Sequence, residues 1–298
     1  MALLGIDGGG SHVRVVVTDA QMNVLAQTTG DNVNPSSIGR EESGARVRAA
    51  VWQAISDANL TPGDITAAAA GIAGAADDHS ADWVRDMLQI VLPTARIVPS
   101  SDFEIALVGA VGERKGVIVI AGTGSAAFGV SVDGRKLRQG GFGYLLGDEG
   151  SGYWMGREVL AHALRELDGR AGKSQITPRV LKEIGAATAG DIIAWTYRQG
   201  VQVRAIAALA PLLIQISEEG DRVAQGYVAR AASELANLVR SIQARLDLKD
   251  GPIAFAGGLL ETDNRLVEVL MRRLHIEERP RPLYPPAIGA AMLAAQAF

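Results

Sequence analysis

The sequence predicts an α/β protein built from two similar halves, each a mixed β-sheet with covering helices. A Gly-rich phrase occurs twice, as Ile6-Asp7-Gly8-Gly9-Gly10-Ser11 and as Ile120-Ala121-Gly122-Thr123-Gly124-Ser125. Each copy follows a strongly apolar run and precedes a second β-prone run and a turn. Each half therefore opens as strand, Gly-rich hairpin loop, strand, and the junction between the halves is predicted at Gly112–Gly116.

The first half follows the order βββαβαβα. Alternating and continuous apolar runs predict its strands, and a 3.6-residue apolar stripe predicts its longest helix. The predicted strands are Leu3–Asp7, His12–Thr18, Val24–Thr28, Ile65–Gly71 and Arg96–Pro99, and the predicted helices are Glu42–Asn59, Asp82–Leu92 and Phe103–Val111.

The second half restarts with strands and then becomes mostly helical. Its predicted strands are Val117–Ala121, Ala126–Val132, Arg135–Gln139 and Ile253–Ala256. The pair Asp133-Gly134 predicts a type I′ hairpin turn. The predicted helices are Thr262–Leu274, Ala287–Phe298 and a long region from Tyr153 to Ala244 that is broken near Gly169–Thr177, Gly185–Gly190 and Gly200.

Composition excludes several classes of function. The chain has 298 residues, is 48% hydrophobic and carries a net charge of −4, which does not favour nucleic-acid binding. The absence of cysteine excludes disulfides, iron–sulfur ligation and thiol nucleophiles. Neither a signal peptide nor a membrane-spanning run is visible, so we expect a cytoplasmic protein. The histidines lack metal-binding spacing: His12, His79, His162 and His275.

Both Gly-rich loops are predicted to hold phosphate, since glycine lets backbone N–H groups approach an anion closely. Asp7 ends a buried strand, where a carboxylate is costly unless it is paired or meets a cation, which favours a Mg²⁺ role. The second loop has Ala121 at the matching position. A dinucleotide fingerprint is excluded for the first loop because it leads into a strand and not into a helix. The second loop formally begins a G-x-G-x-x-A pattern with Ala127, but that match is weak for the same reason. A bare tight hairpin is the alternative.

Ser101 and Asp102 follow a predicted strand. Ser101 and Glu104 fit a capping box, which leaves the Asp102 carboxylate in the first helical turn. A carboxylate positioned there could take a proton from a substrate hydroxyl, as in other phosphoryl-transfer enzymes. The alternative for Asp102 is simple charge decoration of a helix N-terminus.

Three further segments are polar or Gly-rich. Asn34 is held extended by Pro35, which suits an amide that contacts a polar ligand. The loop from Gly140 to Ser151 combines aromatic residues with carboxylates, as sugar sites do, although it could be only a flexible loop. Gly172-Lys173-Ser174 resembles the tail of a phosphate-binding P-loop but lacks its first glycine, so a surface loop is predicted.

In this order and spacing, the motifs resemble the actin/hexokinase/Hsp70-type ATPase superfamily. Within it they are similar to the N-acetylglucosamine kinase group of the BadF/BadG/BcrA/BcrD ATPase family. The resemblance covers nearly the whole chain and includes Gly257-Gly258 and the closing Gly289-Ala290-Ala291. It implies two ribonuclease-H-like lobes around a central cleft, namely a sugar/phosphate-binding lobe of residues 1–113 plus 282–298 and a nucleotide-binding lobe of residues 114–281.

The resemblance also implies roles for residues. Asp102 would be the base on the 6-hydroxyl of an amino sugar, and Asp7 would organise Mg²⁺. ATP would be held by both loops and the later glycine pair, that is by Gly8, Gly9, Gly10, Ser11, Gly122, Thr123, Gly124, Ser125, Gly257 and Gly258. The sugar would be held by Asn34, Ala73, Asp102, Gly141, Phe142 and Asp148. A homodimer is expected from the family.

Two departures from the family pattern leave the sugar open. Ala73 stands where a hydroxyl residue often contacts the acetamide group, and Phe142 stands where a tryptophan is common. N-acetylglucosamine is the first expectation and glucosamine the alternative. The chain could also be a sugar- or nucleotide-responsive binding protein or an ATPase partner protein. The dehydratase-activator branch is excluded because it needs cysteines for a cluster.

Overall fold

The computed structural model describes residues 2–75, 80–198 and 203–296. The strands are β1 Ala2–Gly8, β2 His12–Asp19, β3 Val24–Asp31, β4 Ile65–Ile72, β5 Arg96–Ser100, β6 Gly116–Ala121, β7 Ser125–Val130, β8 Lys136–Gly140 and β9 Ile253–Ala256. The helices are α1 Pro35–Ile38, α2 Arg40–Asp57, α3 Ser80–Gln89, α4 Asp102–Val111, α5 Gly152–Leu167, α6 Ile176–Ile184, α7 Ala189–Tyr197, α8 Val203–Ala207, α9 Ala210–Glu218, α10 Arg222–Leu246, α11 Arg265–Leu274 and α12 Pro286–Ala295.

The chain divides into two compact units. The first comprises Met1–Gly116, Gly129–Arg135 and Pro282–Phe298, and the second comprises Val117–Phe128 and Lys136–Arg281. The boundaries expected from the sequence place residues 114–116 and 129–135 in the other unit. The α/β class and the duplicated sheet are confirmed.

The first unit contains a mixed sheet in the order β3-β2-β1-β4-β5. β1 is antiparallel to β2 and parallel to β4, and β4 is parallel to β5. Side chains alternate between the faces, so Leu4 and Ile6 pack with α2 and α3, whereas Leu3 packs with α4 and α12. Both faces of this sheet are therefore covered by helices.

Three backbones meet closely where α12 packs in the first unit. A Cβ on Gly5 would lie 2.0 Å from the carbonyl oxygen of Ala287, so β1 and α12 touch along their main chains. A Cβ on Gly289 would lie 2.1 Å from the oxygen of Ile105 and 2.4 Å from the nitrogen of Gly109, both in α4. The closing Gly-Ala-Ala motif is thus a packing motif of small residues.

We expect Gly289→Ala to lower the free energy of unfolding by about 1–3 kcal/mol, because the added methyl group meets backbone atoms that cannot rotate away. Thermal unfolding measures the loss. Gly226→Ala is the matched control, since Gly226 lies in α10 and a Cβ added there would have no atom within 4 Å. That control should gain about 0.5–1 kcal/mol from helix propensity. Equal stabilities for Gly289→Ala and the parent chain would contradict the close packing.

The second unit repeats the topology of the first. Its sheet order is β8-β7-β6-β9, and β6 is parallel to β9. This matches β3-β2-β1-β4 strand for strand, with no fifth strand among the described residues. The apolar core lies between this sheet and the helices, where Val117 and Val119 pack with residues of α5, α9 and α10 such as Met155, Leu213 and Leu235.

The turn between β7 and β8 differs from the prediction. Gly134 donates a 3.0 Å hydrogen bond to the carbonyl of Ser131, and Gly134 alone in this turn has a positive φ, of 86°. A type I′ turn needs positive φ at both central residues, so this is instead a type I turn followed by a left-handed glycine. The Asp133 carboxylate stabilises it by accepting hydrogen bonds from Ser131 and Arg135.

Helix boundaries differ at a few points. The predicted breaks near Gly169–Thr177 and Gly185–Gly190 are confirmed, with Gly172-Lys173-Ser174 in the loop between α5 and α6, whereas the break near Gly200 lies outside the described residues. A further break, which the sequence pattern does not predict, separates α9 from α10, where Gly220 has φ 98° and Asp221 caps α10. α11 begins at Arg265 because Asn264 caps it. No helix in the described ranges is long and apolar enough to cross a membrane.

Candidate active site

The first Gly-rich loop is a tight hairpin between β1 and β2. Gly9 donates a 3.0 Å hydrogen bond to the carbonyl of His12, and its own carbonyl accepts one of 3.1 Å from Val33. The N–H groups of Gly10 and Ser11 donate no hydrogen bond within the described part of the chain. Two backbone donors at the loop tip are therefore available to an anion.

Asp7 is the next-to-last residue of β1, beside this loop, and is half-buried. Burial raises the pKa of the Asp7 carboxyl above its ordinary value, and the Asp102 charge adds to the rise. Arg14, its cross-strand partner in β2, and His12 oppose the rise in pKa. The carboxylate is thus held where its charge is costly, which suits contact with a cation.

Asp102 stands in the first turn of α4, as predicted, and is half-buried. Ser101 caps the helix by accepting a 3.1 Å hydrogen bond from the N–H of Glu104. Gly71 of β4 permits this approach, because a Cβ there would lie 2.6 Å from the carbonyl oxygen of Ser101. Since Gly71 is also the register partner of Asp7, the ends of β1 and β4 and the start of α4 converge.

The capping box predicted at Ser101 and Glu104 is formed only in its Ser101 half. Glu104 is 1% exposed, and its carboxylate accepts hydrogen bonds from Ser100 Oγ at 2.7 Å and from Arg114 Nε at 2.9 Å. Glu104 lies in the first turn of α4 and Arg114 lies just beyond its last residue, so their ion pair connects the two ends of this helix. This ion pair stands in place of the second half of the capping box. Glu104 therefore fixes the helix that carries Asp102.

Asn34 is extended at φ −70° and ψ 112°, as Pro35 requires. Its side-chain oxygen caps α1 by accepting a 2.9 Å hydrogen bond from the N–H of Ser36, while Nδ2 donates none within the described ranges. Gly74 adjoins it, since a Cβ there would lie 2.1 Å from Asn34 Oδ1. Ala73 donates its N–H to the carbonyl of Gly8 at 2.8 Å. Asn34 and Ala73 thus both lie next to the first loop.

The second Gly-rich loop joins β6 to β7 and is braced by α5. The carbonyls of Gly122 and Thr123 accept hydrogen bonds from the N–H groups of Gly152 and Tyr153, at 2.8 and 3.1 Å. The N–H groups of Thr123 and Gly124 have no hydrogen-bond acceptor among the described residues. The hydroxyl of Ser125 is buried and donates to the carbonyl of Glu149 at 2.8 Å, so Ser125 ties this loop to the next.

Asp148 lies directly against the second loop. One of its carboxylate oxygens would be 2.6 Å from a Cβ on Gly124, and its backbone is left-handed with φ 57°. The residue is 9% exposed, and its carboxylate accepts no hydrogen bond within the described part of the chain. Gly141 donates its N–H to Ser125, and the neighbouring Phe142 ring is 66% exposed. The loop therefore offers one carboxylate and one aromatic face.

The glycine pair after β9 has two different environments. Gly257 has φ 87°, and a Cβ there would lie 2.5 Å from the carbonyl oxygen of Ala121, so the protein itself requires glycine. A Cβ added at Gly258 would have nothing within 4 Å, and the same holds for Gly122. These two positions leave open backbone surface in the second unit.

The fit to a metal–polyphosphate ligand rests on these features together. No group of three or more acidic or histidine side chains that could hold a metal occurs within the described ranges. Mg²⁺ commonly binds through one or two carboxylates together with substrate phosphates, so a single carboxylate such as Asp7 beside open N–H donors is a suitable donor set. Arg14, which the sequence motifs do not indicate, opposes the rise in the pKa of Asp7, and the hairpin register could have revealed it.

Comparison with known proteins identifies the family. The model of the BadF/BadG/BcrA/BcrD ATPase family matches residues 4–294. The chain belongs to this ATPase family. That membership confirms the resemblance expected from the motifs.

Known proteins are similar to this chain over almost its whole length. An N-acetylmuramic acid/N-acetylglucosamine kinase of Clostridium acetobutylicum is 29% identical over 92% of this chain and 90% of its own. An N-acetyl-D-glucosamine kinase of Dictyostelium discoideum is 28% identical over 98% and 97%. A structure from Chromobacterium violaceum, solved as a candidate N-acetylglucosamine kinase, has a TM-score of 0.75 at 28% identity and covers 99% of both chains.

Proposed function

We propose that this protein is an ATP-dependent kinase that transfers the γ-phosphoryl group to the 6-hydroxyl of an amino sugar, first of all N-acetylglucosamine. The observation that carries the proposal is the convergence of Asp7 and Asp102 beside a loop with open N–H donors, in a chain of an ATPase family. Relatives named for N-acetylglucosamine and glucosamine phosphorylation support the substrate class.

Asp102 supplies the proton-transfer step. Its carboxylate takes the proton of the sugar 6-hydroxyl while that oxygen forms a bond to the γ-phosphorus, and the bond from phosphorus to the β,γ-bridging oxygen breaks to release ADP. The Glu104 ion pair and the Ser101 cap keep the first turn of α4 in place for this step. Little covalent chemistry is required of the protein beyond position and charge.

The second requirement of phosphoryl transfer is that the negative charge of the phosphates be neutralised. The open N–H groups of Gly10, Ser11, Thr123 and Gly124 would donate to phosphate oxygens, and Gly122 and Gly258 leave room for close approach of the nucleotide. Mg²⁺, which Asp7 would hold, supplies further neutralisation of the phosphates when bound. Asn34 Nδ2 and the Asp148 carboxylate would bind sugar hydroxyls, and the Phe142 ring would face the apolar side of the sugar.

Glucosamine is the second candidate substrate. The side chain of Ala73 is a methyl group, which offers no hydrogen bond to an acetamide carbonyl. A glucosamine kinase of Vibrio cholerae is 28% identical over 65% of this chain. An enzyme with this alanine could therefore discriminate weakly between the acetylated and the free amine.

ADP release with Mg·ATP tests the function against N-acetylglucosamine, glucosamine, N-acetylmannosamine, N-acetylmuramic acid and glucose, with product mass by spectrometry. Stimulation by a hexosamine with a monophosphorylated product is expected. Hydrolysis that no sugar stimulates would indicate an ATPase partner protein. Tight sugar binding without product would indicate a binding protein. Cell fractionation and sedimentation would test the expected cytoplasmic location and homodimer.

Gly258→Ala should weaken ATP binding by about tenfold, equivalent to about 1.4 kcal/mol, because the new methyl group would occupy the open surface proposed for the nucleotide. Thermal stability should stay unchanged, because that methyl group would have no protein atom within 4 Å. Gly257→Ala, a substitution of the adjacent glycine, is the matched control. It should lower thermal stability, because a left-handed φ of 87° and the Ala121 carbonyl both exclude a side chain. Calorimetric titration with ATP and thermal unfolding separate the two effects. Normal ATP affinity in Gly258→Ala would remove this glycine from the nucleotide site.

A further inference from the structure

The second unit contains a cavity of about 530 Å³ that the proposed kinase site does not use. It lies among α5, α7, α8 and the loop before α5. Its walls come mainly from Tyr144, Tyr153, Leu160, Ile193 and Tyr197, with Arg157 at the side. Cavities of this size, lined by apolar and aromatic groups with a few polar atoms, are typical of small-molecule sites.

Aromatic rings give this cavity its shape. The rings of Tyr144 and Tyr153 meet edge to face, with their centroids 5.0 Å apart and an interplanar angle of 60°. Edge-to-face contact fixes both rings and leaves a flat face toward a ligand. The hydroxyls of Tyr144, Tyr153 and Tyr197 make no hydrogen bond within the described part of the chain, so they remain available to a polar group.

Arg157 is the only charged residue among the described ones that line the cavity. Its guanidinium lies 3.2 Å from the carboxylate of Glu158, but Glu158 also pairs with Arg230 at 3.3 Å. One carboxylate shared between two guanidinium groups leaves an excess of positive charge at this edge. An anionic ligand is therefore favoured over a neutral or cationic one.

We propose that this cavity binds a small amphipathic anion, with a planar apolar body among the tyrosine rings and an acidic group beside Arg157. The inference is independent of the proposed kinase activity. Tyr153 connects the cavity to the second Gly-rich loop, because its ring forms the wall while its N–H donates to the carbonyl of Thr123 at 3.1 Å. A bound ligand would thus contact a residue that braces that loop.

Fluorescence titration with 8-anilinonaphthalene-1-sulfonate, a planar aromatic anion, tests the proposal on the intact chain. Saturable binding of one probe per chain is expected. Arg157→Gln should weaken it about fivefold, and should not change binding of the neutral probe N-phenyl-1-naphthylamine. Arg222→Gln, at an exposed position on α10 away from the cavity, is the matched control and should leave both affinities unchanged.

Ala161→Trp supplies an independent test, because Ala161 lines the cavity and a tryptophan there would fill it. Binding of both probes should weaken by about tenfold or more, with near-ultraviolet circular dichroism and thermal unfolding used to confirm a native fold. Unchanged probe affinity in a folded Ala161→Trp, or equal loss of both probes in Arg157→Gln, would overturn the inference. Probe binding that is lost when the protein self-associates at higher concentration would also overturn it. That result would assign the cavity to an interface between copies of the chain.

Discussion

Asp102→Asn is expected to slow hexosamine phosphorylation by about 10²–10⁴-fold while nucleotide affinity stays unchanged. The amide keeps the shape of the carboxylate but cannot accept the proton of the sugar hydroxyl. The Ser101 cap and the Glu104–Arg114 ion pair remain, so the first turn of α4 should keep its position. Steady-state kinetics with a coupled ADP assay and calorimetric titration with a non-hydrolysable ATP analogue measure the two quantities.

A matched control separates base catalysis from helix electrostatics. Asp82 also lies in the first turn of a helix, α3, and pairs there with Arg85. Asp82→Asn removes the same charge at the same kind of position, so it should lower stability by at most about 1 kcal/mol and leave turnover intact. A near-normal rate for Asp102→Asn would assign Asp102 to charge decoration alone.

Asp7→Asn is expected to lower turnover at limiting Mg²⁺ by about a hundredfold or more and at the same time to raise thermal stability at neutral pH. The first effect follows because the proposed metal-binding charge is lost. The second follows because burial raises the pKa of Asp7, so its charged form is costly in the folded chain. An Mg²⁺ titration of activity and thermal unfolding measure the two effects. Unchanged Mg²⁺ dependence would contradict the metal role.

The pH dependence of the stability gain can be derived from the direction of the pKa shift. A carboxyl whose pKa is raised by folding destabilises the protein above its folded pKa, and the penalty disappears as pH falls below the unfolded value, which is ordinarily 3.8. The difference in melting temperature between Asp7→Asn and the parent chain should therefore be largest at neutral pH and vanish in acid. Asp19 is the control, because a hydrogen bond from Asn23 lowers its pKa, and Asp19→Asn should be destabilising at neutral pH.

Much of the fold could be predicted because local patterns are strong here. The Val-rich run of β2 and the apolar stripe of α2 determine their elements without help from distant residues. The hairpin loops follow from the glycines between two apolar runs. Element ends were less predictable, since they depend on caps such as Asn264 and on the hydrogen bonds that closed the turn after Ser131. The 129–135 segment could not be assigned to a unit because its contacts are long-range.

The sequence by itself determined which residue types stand at the ends of β1, β6 and β9, namely one aspartate and several glycines, on which the proposed phosphoryl transfer rests. Only the tertiary structure distinguished among those residues. It separates Gly257, which the Ala121 carbonyl requires, from Gly258, which faces open space. It also shows that the Ser125 hydroxyl and the Glu104 carboxylate form hydrogen bonds with other groups of the protein. The physical reason is that a residue's available polar groups depend on which distant backbone atoms pack against it, and spacing along the chain does not encode that.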